Sequence, residues 1–303
     1  SLIGLTIGVM IIGGANNFWH PAAFSYLAKR LPDNRGFALS IHGLGANTGD
    51  ALGPLAAGSL MVWIGWQGAA VANALPMFAL ALMILVLMSR QEKSSEIAAA
   101  PALDLHAYFR GMVDMIKQRA VLMLCLMAGF RTMTQNGILI FLPMYLADAL
   151  GFKGIMLGFV MSSMQIAGII SGPIAGTWSD KIGRRPIVLG GLAASTAVII
   201  TLTLVRHEAA FVGGVAMLGF LLYAVRPVVH SWMMDLTPTG MNGSATSLMF
   251  GTQGAFKMGL PVFGGFIADT WGLPTVFYLL AATMLAANVV AVFLPRSQVG
   301  SKI

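Results

Sequence analysis

Charged residues are scarce in this chain. Asp, Glu, Lys and Arg make up 10% of its 303 residues, against roughly a quarter in a soluble domain. Hydrophobic residues make up 57%, and the mean hydropathy is +0.81. So few polar side chains cannot cover a folded surface in water, which excludes an ordinary soluble domain. The composition predicts an integral membrane protein.

The residues of common catalytic and metal sites are also missing. Cys125 is the single cysteine and lies in an apolar run, so disulfides and thiolate metal sites are excluded. The sequence has no Gly-x-Ser-x-Gly elbow, no phosphate-cradling glycine loop and no metal-ligand spacing. A channel would repeat a short filter segment between spans, and none occurs. We therefore expect no enzyme activity, no cofactor and no metal.

Long apolar runs are what the chain does have. Each is long enough to cross roughly 30 Å of hydrocarbon as a helix. They lie at about 2–28, 37–63, 67–88, 120–147, 154–177, 187–205, 210–235, 244–268 and 274–294. The expected fold is all-α, with nine transmembrane helices in a lipid bilayer.

The basic residues lie mainly on one side of these spans. The chain carries 18 Lys and Arg and a net charge of +7, and about thirteen of the basic residues fall in loops of one face. The positive-inside rule makes that face cytoplasmic. The charge is thus explained by orientation, and no nucleic-acid partner is expected. The topology predicts a multi-pass protein of the inner (plasma) membrane, with an external start and a cytoplasmic end.

A repeat at an offset of about 206 residues divides the chain. It aligns His20-Pro21 with Arg226-Pro227, Pro54 with Pro261 and Gly58 with Gly265. Transporters built from two parallel six-helix halves show such repeats. We expect residues 1–89 to be the second half of an N-terminal bundle, 90–119 a cytoplasmic linker and 120–303 a C-terminal six-helix bundle. By symmetry, three further spans should precede residue 1.

The second part of the linker has the pattern of a surface helix. Apolar residues from Leu103 to Ile116 recur among polar ones at the spacing of an amphipathic helix that lies on the membrane surface. A helix frayed in water would show the same spacing.

A basic turn lies between the fifth and sixth apolar runs. Asp180 is positioned to accept from the first amides of the following helix or to pair with Arg184 four residues on. The order Gly-x-x-x-Asp-Lys-x-Gly-Arg-Arg resembles a loop signature of the major facilitator superfamily of secondary transporters. That resemblance implies a loop that latches neighbouring helices and biases the inward/outward equilibrium. A generic positive-inside loop is the alternative. The residues concerned are Gly176, Asp180, Lys181, Gly183, Arg184 and Arg185.

The second span carries a small-residue motif. Gly49, Gly53, Pro54 and Gly58 resemble the fifth-helix signature Gly-x-x-x-Gly-Pro-x-x-Gly-Gly of exporters in the superfamily. The sequence departs from it at Ala57 and by carrying Asp50 within the motif. The resemblance implies close packing against a small-residue face in the fifth span and, by analogy, export. A packing stripe unrelated to export is the alternative. That face comprises Gly168, Gly172, Pro173 and Gly176.

Two further blocks narrow the resemblance. His20 to Phe24 and His42 to Pro54 are similar to the fosmidomycin-resistance type of bacterial exporters within the superfamily. The match covers about a fifth of the chain. It implies that this chain corresponds to family helices 4–12 and comes from a bacterium.

Polar residues inside the spans are the candidate substrate site. Charged residues at mid-bilayer cost about 2.5–3.5 kcal/mol on insertion scales, so their presence suggests function. Arg131 and Gln135 share a helix face, next to Thr134, and offer an anion a cation with neutral donors. The resemblance implies that the corresponding helices line a central cavity, although each residue could be a polar packing contact. The set is Asn17, His20, Arg131, Gln135, Asn136, Tyr223, Arg226 and His230.

Asp50 is the carboxylate placed deepest within a span, and the repeat aligns it with Lys257. We interpret both as proton-coupling candidates, with a structural ion pair as the alternative. The sequence thus favours a monomeric secondary transporter exporting a small anionic or amphiphilic molecule in exchange for protons. An importer of an organic anion, or a sensor or scaffold with a transporter fold, remains an alternative.

Overall fold

The computed structural model describes residues 4, 6–15, 23, 35–92, 110–111, 113–114, 116–205, 207–237 and 242–295. These residues form helices and short connections, with no strand among them. The all-α prediction is therefore confirmed. The helices are α1 Thr6–Ala15, α2 Arg35–Glu92, α3 Arg119–Ala149, α4 Gly154–Ile182, α5 Arg184–Leu204, α6 Glu208–Leu236, α7 Asn242–Trp271 and α8 Leu273–Val292.

The long helix α2 contains two of the predicted spans. It has 58 residues, about 87 Å at 1.5 Å per residue, which is far more than one crossing needs. Gly65 interrupts it with φ 68° and ψ 177°, a left-handed conformation that glycine adopts without steric cost. The second and third predicted spans lie on either side of this glycine, so α2 is two crossing segments joined at a kink.

The predicted count of nine spans is not confirmed. Among the described residues, five helical segments are long and apolar enough to cross a membrane. They are Thr48–Leu87, Gly154–Ile182, Arg184–Leu204, Glu208–Leu236 and Leu273–Val292. The helices α3 and α7 have 31 and 30 residues but are interrupted by polar residues. Length alone would let both cross the bilayer.

The chain divides into two compact units, Ser1–Asp50 and Ala51–Ile303. In the second unit, α4 packs along α6, α3 along α7 and α8, and α5 against α6 and α8. The core between them is apolar and includes the fully buried Trp232, Phe211, Leu124 and Met127. The boundaries predicted at residues 89 and 119 stay predictions, and most of the linker lies outside the described residues.

Glycines let two pairs of helices approach at backbone distance. Gly219 of α6 lies directly against the carbonyl of Met164 on α4. On the other side of α4, a Cβ at Gly58 of α2 would lie 2.6 Å from the carbonyl oxygen of Gly154. In a membrane, such small-residue contacts let van der Waals packing hold helices together.

The contact between α2 and α4 corrects the expected partner of the motif. The α2 side uses Pro54 and Gly58, as predicted, but the α4 side uses Gly154 and Gly158. The predicted face of α4 lies elsewhere: Gly168 packs against the ring of Tyr223, and open space surrounds Gly172 and Gly176. Gly49 and Gly53 also have open space around them within the described structure. The contact with α2 is made by the first two turns of α4, whereas the predicted face begins about three turns after Gly158.

Replacing Gly219 by alanine should destabilise the protein by about 1–3 kcal/mol, because the new methyl would clash with a backbone carbonyl that cannot rotate away. Thermal unfolding in detergent measures the effect. The matched control is Gly213→Ala on the same helix, where a Cβ meets nothing within 4 Å. Equal melting temperatures for the two variants would contradict the close packing of α4 and α6.

Candidate substrate site

Arg131 lies in the middle of α3 and is 3% exposed. Its Nη2 donates to Oε1 of Gln135, one turn later, at 2.7 Å and to the carbonyl oxygen of Leu222 on α6, also at 2.7 Å. The predicted i, i+4 pair is thus present. The Nε of Arg131 is buried and has no hydrogen-bond partner among the described residues. One donor of the guanidinium therefore remains for an acceptor beyond the surrounding helices.

The acceptor on α6 lies at a disturbed part of that helix. Pro227 lacks the N–H that would bond the carbonyl of Tyr223, and proline inside a helix favours a bend. The carbonyl of Leu222, which accepts from Arg131, is one residue earlier. Arg131 thus bonds α3 to the proline-disturbed turn of α6.

Thr134 does not join this group. Its hydroxyl lies 2.8 Å from that of Thr283 on α8 and within hydrogen-bond distance of the carbonyl oxygens of Phe130 and Leu280, at 3.1 and 3.3 Å. The expectation that Thr134 would help bind an anion beside Arg131 is therefore wrong. Thr134 is three positions from Arg131 and shares one side of α3 with it, but its hydroxyl is engaged by α8. Asn136 is half-buried.

The α6 residues bring the second arginine to this level. Tyr223 is buried, Arg226 is exposed, and His230 is half-buried with its ring centroid 5.4 Å from that of Phe250. Arg226 lies one turn beyond Leu222, the residue that Arg131 contacts. The structure therefore brings together the predicted residues of α3 and α6.

Lys257 of α7 completes a group of cations. It is exposed, and the charges of Arg131, Arg226 and Lys257 lie close enough to repel one another. His230 interacts electrostatically with both arginines. We call Arg131, Arg226 and Lys257 the cation cluster, and His230 lies beside it. The helices of the cluster carry their carboxylates at the ends, as Asp148, Glu208, Asp235 and Asp269.

Two of the predicted site residues, Asn17 and His20, lie outside the described residues. Asp50 is on α2 and is exposed, and it ends the first compact unit, whereas Lys257 is in the second. The pairing of Asp50 with Lys257 therefore stays a prediction.

The basic loop forms an ion-pair network around Arg184. This side chain pairs with Asp180 four residues earlier, as predicted, and donates to the Ser179 hydroxyl at 2.7 Å. Its Nε also donates to Asp235 at the end of α6 at 3.1 Å. Asp180 does not cap the next helix, because the N-cap position of α5 is Gly183 and receives no side-chain bond. Sequence analysis missed Asp235, since the residue is 51 positions away and no local spacing links the two.

The remaining loop residues have separate positions. Arg185 donates to the carbonyl of Val292 at the end of α8, and Lys181 is exposed. Gly183 has φ 97°, a backbone conformation that would be strained in a residue with a side chain. Gly176 lies within α4, which continues to Ile182, and open space surrounds it. The loop thus connects α4 and α5 to the ends of α6 and α8.

Comparison with known proteins agrees with this architecture. The chain is 24% identical to Multidrug resistance protein MdtG of Proteus mirabilis, over 94% of this chain and 74% of that protein. It is 27% identical to Multidrug resistance protein 2 of Bacillus subtilis over 143 residues, which is 47% of this chain and 35% of that protein.

Solved structures share the fold. A bacterial homologue of the iron transporter ferroportin superposes with a TM-score of 0.67 in its inward-facing state and 0.55 in its outward-facing state, at 17% and 18% identity. The inward-facing match covers 86% of this chain and 63% of that structure, so the chain spans less than two thirds of its length. The sequence model of the Major Facilitator Superfamily matches residues 1–153 and 124–302. The chain therefore belongs to the Major Facilitator Superfamily of membrane transporters.

Proposed function

We propose that this protein exports a small anionic or amphiphilic molecule in exchange for protons, by alternating access, as a monomer in the bacterial inner membrane. Alternating access means that the central site opens to one side of the membrane at a time. In this proposal, residues 1–89 and 120–303 belong to the two halves that move against each other, and residues 90–119 link them.

The cation cluster is the observation that carries the proposal. Three helices bring Arg131, Arg226 and Lys257 within electrostatic reach of one another, inside segments long enough to cross the bilayer. Like charges grouped inside these segments repel one another, and burying the Arg131 guanidinium is costly unless a counter-charge is present. An anionic substrate supplies that counter-charge. The unpartnered Nε of Arg131 supports the same conclusion.

Two observations support export. The relatives described above bear the name multidrug resistance protein, and the motif around Gly49, Gly53, Pro54 and Gly58 resembles that of exporters. The Pro54 and Gly58 part of the motif packs against α4. In this proposal, the contact between α2 and α4 changes as the protein switches between its two states.

The Arg184 network is proposed to stabilise one of those states. Arg184 joins the α4–α5 loop to α6 through Asp235, and Arg185 joins it to α8. Because these bonds lie at helix ends on the predicted cytoplasmic side, movement of α6 would break the ion pair with Asp235. The loop would therefore act as a conformational latch.

Transport of a fluorescent anion tests the proposal. Inverted vesicles carrying the protein expressed from its own gene should accumulate carboxyfluorescein when their interior is acidic. Arg226→Gln should lower the rate about tenfold, the effect expected from losing about 1.4 kcal/mol of attraction. The control is Arg119→Gln, which removes an exposed cation at the start of α3.

Two results would contradict the proposal. One is equal dye accumulation by vesicles with and without the protein. The other is a preference of the wild-type protein for the cation ethidium over the anionic dye. If vesicles loaded with dye instead release it to the medium under the same pH gradient, the result would favour an importer.

A further inference from the structure

Two polar side chains of α4 are buried without the bonds they need. Ser162 is 3% and Gln165 is 8% exposed. The Oγ of Ser162 and the Oε1 of Gln165 have no hydrogen-bond partner among the described residues. The two residues are three positions apart, which places them on the same helix face. We call this pair the neutral pair.

The neutral pair lies near the cation cluster. Gly168, one turn after Gln165, packs against the ring of Tyr223, and Leu222, next to Tyr223, accepts from Arg131. In the other direction, Gly158 contacts the carbonyl of Pro54 on α2. The neutral pair therefore lies about one to two helical turns before Gly168. It faces the α2 and α6 sides of α4, and the contact of Gly168 with α6 adjoins the carbonyl that Arg131 bonds.

Burial of these groups without partners is costly. A buried polar group without a hydrogen bond costs about 1–3 kcal/mol, and hydrocarbon offers it no water. By contrast, the neighbouring Ser163 donates to the carbonyl oxygen of Val160 at 2.7 Å. A chain of 57% hydrophobic residues could fill positions 162 and 165 with apolar side chains at no such cost. The neutral pair is therefore suited to a partner beyond the described residues, and a bound substrate would supply one.

We propose that Ser162 and Gln165 form the uncharged, hydrogen-bonding part of the substrate site. Because Oε1 of Gln165 accepts hydrogen bonds, the substrate must supply a donor, a hydroxyl or an amide N–H. The substrate class is then an organic anion that also carries such a donor. The negative group binds the cation cluster and the donor binds the neutral pair, so this inference rests on the proposed function.

Competition in the vesicle assay tests the assignment. Benzoate and the three isomeric hydroxybenzoates carry the same carboxylate and differ in the presence and position of one hydroxyl donor. At least one isomer should compete with carboxyfluorescein about fivefold better than benzoate, within the range of one hydrogen bond. Gln165→Met and Ser162→Ala should each reduce that preference to about twofold or less while benzoate still competes.

The controls separate this inference from the proposed function and from misfolding. Ser163→Ala removes a hydroxyl that already has a partner, and Gln67→Met removes an exposed amide; both should keep the wild-type preference. If the Gln165→Met variant does not fold, the smaller Ser162→Ala change decides.

Three outcomes would overturn the inference. Full preference in both α4 variants, with equal or higher thermal stability, would make the neutral pair a structural or hydrated feature only. If benzoate and the three hydroxybenzoates compete equally well with the dye for the wild-type protein, a hydrogen-bond donor is not part of the substrate class. Wild-type vesicles that accumulate no dye would refute the proposed function, and the inference with it.

Discussion

Replacing Arg131 by glutamine is expected to abolish transport of anions while the protein remains folded. Arg131 is the most deeply buried cation of the cluster, and an attraction inside a poorly hydrated site is weakened least by solvent. Loss of a buried charge contact costs about 2–5 kcal/mol, so transport should fall by about a hundredfold. The initial rate of carboxyfluorescein accumulation in inverted vesicles measures the effect.

Thermal stability distinguishes a binding role from a structural one. If Arg131 serves mainly to hold α6 through the carbonyl of Leu222, the Arg131→Gln variant should melt well below wild type. If it serves to bind an anion, removing a buried charge should leave the melting temperature unchanged or raise it. Arg131→Lys retains the charge but loses the guanidinium whose Nη2 bonds both Gln135 and Leu222, so we expect partial transport.

The control for this experiment is Lys153→Gln. Lys153 is an exposed cation before α4, and its loss changes the net charge by the same amount. Transport by the Arg131→Gln variant at the rate of this control would exclude Arg131 from the substrate site.

Features governed by local spacing were predicted from the sequence. Arg131 with Gln135 and Asp180 with Arg184 are both four residues apart, and one turn of helix brings each pair together. The all-helical membrane fold followed in the same way from the length of the apolar runs. These predictions needed no knowledge of how the helices pack.

Features that depend on helix packing were not predicted. Asp235 reaches Arg184 only because α6 ends beside the loop. Thr134 has a polar side chain next to Arg131, but its hydroxyl is engaged by Thr283 on α8. The glycines of α4 show the same limit, since the sequence holds two small-residue faces and only the crossing point with α2 selects Gly154 and Gly158.

The count of nine spans is not confirmed for a different reason. The turn at Gly65 is short, so α2 continues through it from Arg35 to Glu92 as one kinked element. A hydropathy threshold for membrane-spanning helices also excludes α3 and α7, because the polar residues of the candidate site lower their mean hydropathy. Two of the three helices that carry the cation cluster, α3 and α7, are thus excluded by a hydrophobicity criterion that α6 meets.

Asp50→Asn is expected to separate proton coupling from substrate binding. Asp50 lies within the predicted second span, and its α2 segment continues to the Pro54 and Gly58 contact with α4. If this contact changes during alternating access, the carboxylate would experience different surroundings in the two states. A carboxylate that takes up a proton when it faces outward and releases it when it faces inward drives substrate the opposite way. Asparagine keeps the shape but carries no exchangeable charge.

Two assays on the same vesicles read out this separation. Dye accumulation driven by an acidic interior should be lost in the Asp50→Asn variant, whereas exchange of dye between two equal pools, which needs no net proton movement, should continue at the wild-type rate. The control is Asp148→Asn at the exposed end of α3, which should leave both unchanged. Retained accumulation in response to the pH gradient would refute a coupling role for Asp50. Loss of accumulation and exchange together with a lower melting temperature would instead identify Asp50 as part of a structural ion pair, because breaking such a pair leaves a charge buried without its partner.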